Sequence, residues 1–467
     1  MHAIEIEILY STDFFFWVGT KMKKMRFPLI LLLCLDVFLG LGVVAYAEPS
    51  TVDSGTCGLN GDNLTWALYG DRELVIDGTG EMADYGFHAV PWNEHRFNID
   101  TVTIHEGVTS IGDNAFCEFY SMTSVTIPES VTSIGESAFY YDIGLTSITI
   151  PESVTSISDS AFRDCQSLTG VIIPEGVTSI SGIFDGCRSL TSVMIPERVT
   201  SIGDYAFRDC TSLKSVTIPE SVTSIGNHAF QNCSSLKSMS ISEGVTGIGE
   251  YAFSGCSSLT GMIIPEGVTS IGKFTFSNCN GLMSVTIPES VTSIGYGAFQ
   301  NCSSLTSVTI PEGVTQIGWF AFSDCSNLMS VTIPESVTSI DGHTFYRCSS
   351  LTSVTIPKGV TNISGSAFAF CSSLMSVNIP QGMTNISDGA FIGCAFFYVL
   401  IPETVTRIGS DAFSACPNLA YAQFASADTE IDPTAFDKVI DLTIIAPIGS
   451  TAETFASTHG FDFQPAA

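Results

Sequence analysis

The chain has 467 residues, of which 45% are hydrophobic and only 14% are charged, so a large core is expected and disorder is excluded. Its 17 basic and 47 acidic residues leave a net charge of -30 at pH 7. Binding to nucleic acid or to an anionic lipid surface depends on basic residues, and a polyanion lacks them. We therefore expect no nucleic-acid partner.

Residues 1–47 are predicted to form a signal peptide with a short upstream segment. Basic residues from Lys21 to Arg26 precede an apolar run from Phe27 to Val44, which ends in Ala45-Tyr46-Ala47. This order is typical of a secretory signal that is cut after its last small residue. The apolar run is also long enough for an uncleaved membrane anchor, which is the only membrane contact that we expect. Both alternatives place the rest of the chain outside the cytoplasm, as a secreted or cell-surface protein.

A unit of about 23 residues recurs through the rest of the chain, in fourteen copies with two steps of 22. In the copy from Leu213 to Cys233, Leu213, Val216 and Ile218 have the L-x-x-L-x-L spacing that marks the strand of a leucine-rich repeat. Pro219 cannot donate to a sheet ladder and is expected to end that strand. One unit cannot bury its apolar residues alone, so stacking in register predicts a parallel sheet and a continuous core.

This pattern resembles the BspA-like leucine-rich repeats of bacterial surface and secreted proteins. The resemblance covers about residues 55 to 467 and implies an α/β-type repeat solenoid, a rod of about fourteen units with a cap at each end. Leu64–Leu68 and Leu74–Gly80 are similar to the family's amino-terminal hairpin cap, and Ser450–Phe463 is similar to its closing helix and strand. The predicted boundaries are 1–47 for the export segment, 48–100 for the amino-terminal β-hairpin cap, 101–424 for the repeats and 425–467 for the capping repeat.

Three departures from the repeat are local. Phe119 and Asp142 occupy positions that hold cysteine in later units, and the turn at Gly182–Phe184 is one residue short. We expect slight irregularity at these places and no change of fold.

Twelve of the fifteen cysteines form one column along the repeats, from Cys165 to Cys416. Disulfides are common in exported proteins, but side chains in one column should point in parallel into the interior. We therefore predict buried free thiols, with disulfide pairing as the alternative. Cys57 and Cys117 lie outside the column, and their state stays open. The chain has no C-x-x-C motif and no metal-spaced histidine pair, so we expect no metal site built from them and no cofactor.

Two polar columns run along the predicted rod. Serine and threonine residues such as Ser215 and Thr217 should cover the open face of the sheet, either to keep it soluble or to bind sugars. Twelve glutamates follow the Ile-Pro positions, from Glu106 to Glu403. They are interpreted as a solvated edge, with a basic partner or calcium as alternatives.

A cluster of aromatic residues is the candidate contact site. Most of the cluster stands one residue before the core alanine or its replacement, where other units carry small polar residues that face water. Exposed aromatic clusters are typical of protein or glycan contact sites, whereas rings that only cover one another would be structural. The candidate partner-binding residues are Tyr205, His228, Tyr251, Phe274, Tyr296, Trp319 and Phe320.

The sequence favours a binding protein over an enzyme, because a monotonous rod offers no cleft in which unlike segments bring a nucleophile, a base and an acid together. No catalytic residue is assigned. The family resemblance implies an adhesin-like role, in contact with host, cell-surface or matrix proteins or glycans. The alternative function is a structural spacer or envelope component without a specific ligand.

Overall fold

The structure is a computed structural model, and it describes residues 50–466. The predicted signal peptide or membrane anchor at residues 1–47 lies outside the described residues. Within residues 50–466, no helix has the length and apolar character needed to cross a membrane.

The amino-terminal end is an antiparallel meander that turns into the first repeat. It consists of β1 (Thr51–Gly58), β2 (Gly61–Tyr69) and β3 (Glu73–Gly78), with β1 and β2 paired and β2 and β3 paired. The far edge of β3 pairs in parallel with Thr101–Ile104, so the meander joins the repeat sheet directly. Trp92 is fully buried beneath it. The meander therefore covers one end of the core. A short 3₁₀ helix spans Asn93–His95.

All repeats but the one around residues 147–149 contribute a strand to a first strand row within the described residues, in the register that the 23-residue period predicts. Ser215 pairs with Ser238 and Ser353 with Ser376, each 23 residues apart. The row is divided into short sheets. After β3 its strands are Thr101–Ile104, Ser124–Thr126, Gly170–Ile172, Ser192–Met194, Ser215–Thr217, Ser238–Ser240, Gly261–Ile263, Ser284–Thr286, Ser307–Thr309, Ser330–Thr332, Ser353–Thr355, Ser376–Val377, Tyr398–Ile401, Tyr421–Phe424, Thr443–Ala446 and Asp462–Pro465.

A second strand row, which the sequence pattern does not predict, follows the proline turn. Most of its strands have only two residues, and Ile225, in one of them, is buried while Ser224 faces outward. The strands of this row are Gly80–Glu81, Val108–Ile111, Ser133–Ile134, Ser156–Ile157, Ser179–Ile180, Ser201–Ile202, Ser224–Ile225, Gly247–Ile248, Ser270–Ile271, Ser293–Ile294, Gln316–Ile317, Ser339–Ile340, Asn362–Ile363, Asn385–Ile386, Arg407–Ile408 and Glu430–Ile431.

The remaining part of each repeat, here called the turn side, is a pair of turns that hydrogen-bonds to the next repeat. His228 N–H donates to Glu250 O at 2.9 Å, and Phe230 N–H donates to Ala252 O at 2.8 Å. The backbone of His228 has φ of 55°, in the left-handed region that costs energy for a residue with a side chain. Because ladders of hydrogen bonds hold the backbone here, the strained turns persist, and each repeat has three sides.

The core between these sides is built around one continuous stack of aromatic rings. Neighbouring rings of the stack lie 5.2–5.8 Å apart and are nearly parallel. The spacing follows from strands that lie about 4.8 Å apart, since each repeat supplies one ring. The stack runs through Trp92, Phe116, Phe139, Phe162, Phe184, Phe207, Phe230, Phe253, Phe276, Phe299, Phe322, Phe345, Phe368, Phe391, Phe413 and Phe436.

The carboxyl-terminal end is closed by α1 (Thr451–His459). The Ser450 hydroxyl accepts a hydrogen bond from the Glu453 N–H at 3.1 Å, and Gly460 ends the helix with φ of 76°. The last strand, Asp462–Pro465, then pairs in parallel with the preceding strand of the first row. The helix and closing strand that the resemblance implies are both present.

The twelve cysteines of the column are buried beside the phenylalanine stack. Each thiol donates to a backbone carbonyl of the preceding repeat, as Cys256 Sγ does to Phe230 O at 3.2 Å. Burial raises the pKa of every thiol in the column. Cys57 and Cys117 are also buried and free, and burial raises the pKa of each to about 12.

Titration of the folded protein with a thiol reagent should therefore modify few cysteines, because burial limits access and the raised pKa values suppress the reactive thiolate. After denaturation, most of the 14 described cysteines should react. Loss of most thiols to disulfides in the freshly denatured protein would contradict the packing described above.

Candidate functional site

The seven predicted contact residues lie together on the turn side. Six of them form one line of rings, and the Trp319 ring lies 6.4 Å from His343, which continues that line. Tyr205, His228 and Tyr251 occupy equivalent left-handed positions, with φ values of 58°, 55° and 58°. Their rings follow one another at 4.9 Å and 4.7 Å and are inclined by about 10°. Phe274 continues the line 4.8 Å beyond Tyr251. The common backbone geometry thus aims side chains from successive repeats in the same direction.

At Gly297 the line of rings continues from the preceding position of the repeat, Tyr296. A Cβ atom on Gly297 would lie 2.5 Å from the Phe274 ring, so a side chain is excluded there. Tyr296 fills the space instead, with its ring 5.1 Å from Phe274 and 5.4 Å from Phe320. A Cβ atom on Gly342 would lie 2.5 Å from the Trp319 ring, so glycine at this position leaves room for that ring. These glycines therefore allow the larger rings to pack.

Three further residues extend the line beyond those predicted. His343 stacks on Phe320 at 4.6 Å, Tyr346 lies 5.4 Å from His343, and Phe370 lies 5.6 Å from Tyr346. His343 stands 23 residues after Phe320, so the repeat period could have revealed it. Tyr346 and Phe370 come from other positions of the repeat. We call the ten residues the aromatic ladder: Tyr205, His228, Tyr251, Phe274, Tyr296, Trp319, Phe320, His343, Tyr346 and Phe370.

The aromatic ladder is half-buried by its own stacking and still presents a wide surface. Tyr296 and Trp319 are 40% and 46% exposed, whereas His228, Tyr251 and Phe274 are of intermediate burial. From Tyr205 to Phe274 neighbouring rings cover one another's faces, so ring edges are left toward solvent there, whereas Phe274 and Tyr296 meet edge to face. The rings stack on one another, and their role as a partner-binding site stays a prediction.

Polar groups cover parts of the aromatic ladder. The Arg208 guanidinium lies 4.6 Å from the centre of the Tyr205 ring, a cation–π contact. A second such contact joins Arg347 to Tyr346 at 5.2 Å. Burial lowers the pKa of His343, which favours its neutral form between the rings. The ladder is thus mostly apolar, with arginine contacts at Tyr205 and Tyr346.

The glutamate column is an exposed acidic row, as the sequence predicts. All twelve glutamates from Glu106 to Glu403 are exposed. Within residues 50–466, no group of three or more acidic, histidine or cysteine side chains converges in a way that could hold a metal ion. Calcium along this row stays an untested prediction.

The open face of the first strand row carries the serine and threonine columns and several exposed apolar residues. Ile172, Met194 and Ile263 are 64%, 68% and 69% exposed where the hydroxyl pattern is interrupted. Near the carboxyl end, Tyr398 and Tyr421 are 41% and 37% exposed. Ile172 and Met194 are neighbours on adjacent strands, as are Tyr398 and Tyr421, so within the described residues the open face carries short apolar patches and no line as long as the aromatic ladder.

Comparison with known proteins supports the fold at the level of sequence and structure. A family model described as "BspA type Leucine rich repeat region (6 copies)" matches residues 94–182, 181–306, 269–396 and 344–458. No match to a curated protein was found by sequence.

Among solved structures, the chain is similar to a leucine-rich repeat protein from Bacteroides ovatus, at 26% identity and a TM-score of 0.67, over 87% of this chain and 99% of that one. A leucine-rich cell surface protein from Faecalibacterium prausnitzii is 25% identical, with a TM-score of 0.40 over 88% and 98% of the two chains. The pneumococcal vaccine antigen PcpA is 14% identical, with a TM-score of 0.41 over 87% and 98%. With most of its length matched by the family model, the chain belongs to the BspA-type leucine-rich repeat family.

Proposed function

We propose that this chain is an exported, non-enzymatic binding protein that uses the aromatic ladder to contact an extracellular partner, in an adhesin-like role at a cell surface or after secretion. The single observation that carries the proposal is a continuous, partly exposed line of ten aromatic and histidine rings on the turn side. Aromatic residues are enriched at the centres of protein interfaces and contribute much of their binding energy.

The geometry of the aromatic ladder favours a protein partner over a glycan. Sugars bind aromatic residues through the flat faces of the rings, but the Tyr205, His228 and Tyr251 rings cover one another's faces at 4.9 Å and 4.7 Å. The exposed ring edges carry partial positive charge and suit carbonyl oxygens and apolar side chains. A protein supplies both kinds of group along an extended surface.

The charge of the chain adds a preference for the partner's surface. The net charge is -30, and the acidic row is exposed along the repeats. Opposite charge steers association and like charge opposes it. We therefore propose a partner with a basic surface beside its apolar contact.

The ladder is tested by replacing Tyr296 and Trp319 together with serine. Each of the two side chains is at least 40% exposed, so the fold should survive, as circular dichroism and thermal melting would show. Affinity for a partner found in a panel of purified extracellular proteins and glycans should fall at least about tenfold, since interface aromatics often contribute 2 kcal/mol or more.

The matched control is the Tyr398→Ser, Tyr421→Ser double variant, which removes two equally exposed aromatic residues from the first strand row. It should bind like the native protein. Equal loss in both variants, or loss only in the control, would refute the ladder as the contact site. No binding by the native protein across the whole panel would favour the structural-spacer alternative.

A further inference from the structure

The turn that is one residue short opens a groove at the start of the aromatic ladder. Repeats advance by 23 residues elsewhere along this part of the chain, but Ile180 and Ile202 are 22 apart, and Gly182 occupies the position that holds Tyr205 in the next repeat. The groove has a volume of about 490 Å³. We call it the Gly182 groove; its lining residues are Asp159, Ser160, Arg163, Ser181, Gly182, Asp185, Asp204, Tyr205 and Arg208.

The Gly182 groove exists because no side chain fills the position. A Cβ atom on Gly182 would meet nothing closer than 3.7 Å, whereas one on Gly297, at the equivalent position, would collide with Phe274 at 2.5 Å. The backbone does not require glycine here, since Tyr205 and Phe320 adopt the same left-handed geometry. Space beside Gly182 is therefore open, and its volume lies within the range of about 300–1,000 Å³ that small-molecule sites occupy.

The missing residue also releases a carboxylate. In several repeats that carry Asp at the equivalent position, its side chain caps the next turn: Asp113 Oδ1 accepts from Glu136 N–H, and Asp204 Oδ1 accepts from Asn227 N–H, each at 2.6 Å. Asp159 occupies the equivalent position directly before the short turn, and its side chain lines the groove. It is exposed and lies at the groove wall, free to accept hydrogen bonds from a ligand.

The floor of the groove is a fixed charge network. Asp185 is 4% exposed and accepts two hydrogen bonds from Arg208, at 2.8 Å from Nε and 2.6 Å from Nη2. Arg163 Nε lies 3.2 Å from Asp185 Oδ2, yet its orientation makes no hydrogen bond, and this nitrogen is unpaired within the described residues. The network holds the Arg208 guanidinium in place against Asp185 and keeps Arg163 beside it.

These features together define the kind of ligand. The lining has three carboxylates against two guanidinium groups, so an anion is disfavoured, and no cluster among residues 50–466 can hold a metal ion. A sugar ring matches the remaining groups, because its hydroxyls both donate to carboxylates and accept from guanidinium and serine groups. We propose that the Gly182 groove binds a neutral pyranose residue of a glycan, at a site that adjoins the aromatic ladder and shares Tyr205 with it.

Saturation-transfer NMR with millimolar methyl glycosides of glucose, galactose and N-acetylglucosamine tests the proposal on protein expressed from the full chain. The native protein should transfer saturation to at least one neutral glycoside. The Gly182→Phe variant fills the groove with a side chain that Phe320 shows to be tolerated at this backbone geometry. It should weaken binding about tenfold or more, and Asp159→Asn should weaken it less, since the amide still accepts a hydrogen bond.

The matched control is Gly389→Phe, which makes the same change at the equivalent left-handed position of a distant repeat, where φ is 62°. It should leave saturation transfer unchanged. The proposal is overturned if no neutral glycoside binds, if Gly182→Phe binds as the native protein does, or if only N-acetylneuraminic acid or a lysine ester binds in the groove. The Tyr296→Ser, Trp319→Ser variant should keep its sugar signal, so failure here is distinguishable from failure of the ladder.

Discussion

Replacing Phe253 with alanine should lower the free energy of unfolding by about 3–5 kcal/mol, as the loss of a buried aromatic ring usually does. Phe253 is fully buried, and its ring stacks on Phe230 at 5.6 Å and on Phe276 at 5.5 Å. The change removes apolar contacts with two repeats at once and leaves a cavity between them. Equilibrium unfolding in urea, followed by circular dichroism, measures the loss.

The control for this prediction is Phe397→Ala, because Phe397 is 61% exposed, directly before the first-row strand Tyr398–Ile401. That variant should lose less than about 1 kcal/mol, as surface substitutions usually do. Similar losses at both positions would mean that the phenylalanine stack does not hold the repeats together.

Replacing Asp142 with asparagine should remove a pH dependence of stability. Asp142 is fully buried at a position where later repeats carry cysteine. Its Oδ1 accepts a hydrogen bond from Phe119 N–H at 2.8 Å, while its Oδ2 has no partner within the described residues. Burial raises the pKa of this carboxyl well above its ordinary value of 3.8.

When the pKa of a carboxyl is higher in the folded state than in the unfolded chain, its contribution to the free energy of unfolding is greatest below the unfolded pKa. There the carboxyl is protonated in both states. Its contribution is lost as pH rises through the folded pKa. Between the two pKa values, the native protein should therefore lose about 1.4 kcal/mol per pH unit relative to Asp142→Asn.

Urea unfolding of both proteins at a series of pH values from 4 upward measures this difference. Asp428→Asn, at an exposed aspartate, controls for the change in net charge. The interpretation of Asp142 is wrong if its variant and the native protein show parallel stability at every pH.

The sequence predicted the parts of the fold in which apolar residues recur at fixed positions of the repeat. The alternation around Val216 gave the first strand row, and the position of Cys233 gave the buried column. The second strand row was missed because strands of two residues, such as Ser224–Ile225, are too short to show an alternation. The left-handed backbone of the turn side was missed because this geometry at a residue such as His228 has no local signal when glycine is absent.

The candidate site was predicted in part for similar reasons. Tyr205 and Tyr251 share a column, so the period of 23 residues reveals their alignment. Tyr346 and Phe370 join the aromatic ladder from different columns, and only the folded arrangement brings them to 5.6 Å. The short turn at Gly182 was expected to be a slight irregularity. The groove beside it was not predicted, because it results from space that no side chain fills in the folded protein.

Site-specific crosslinking tests most directly whether the aromatic ladder is the contact surface of this protein. Photoreactive benzoylphenylalanine would replace Tyr296 in the ladder or Tyr398 on the first strand row, two tyrosines with 40% and 41% exposure. With a partner from the extracellular panel, we expect a crosslink from position 296 and none from position 398. A crosslink from position 398 without one from position 296 would contradict the proposed function.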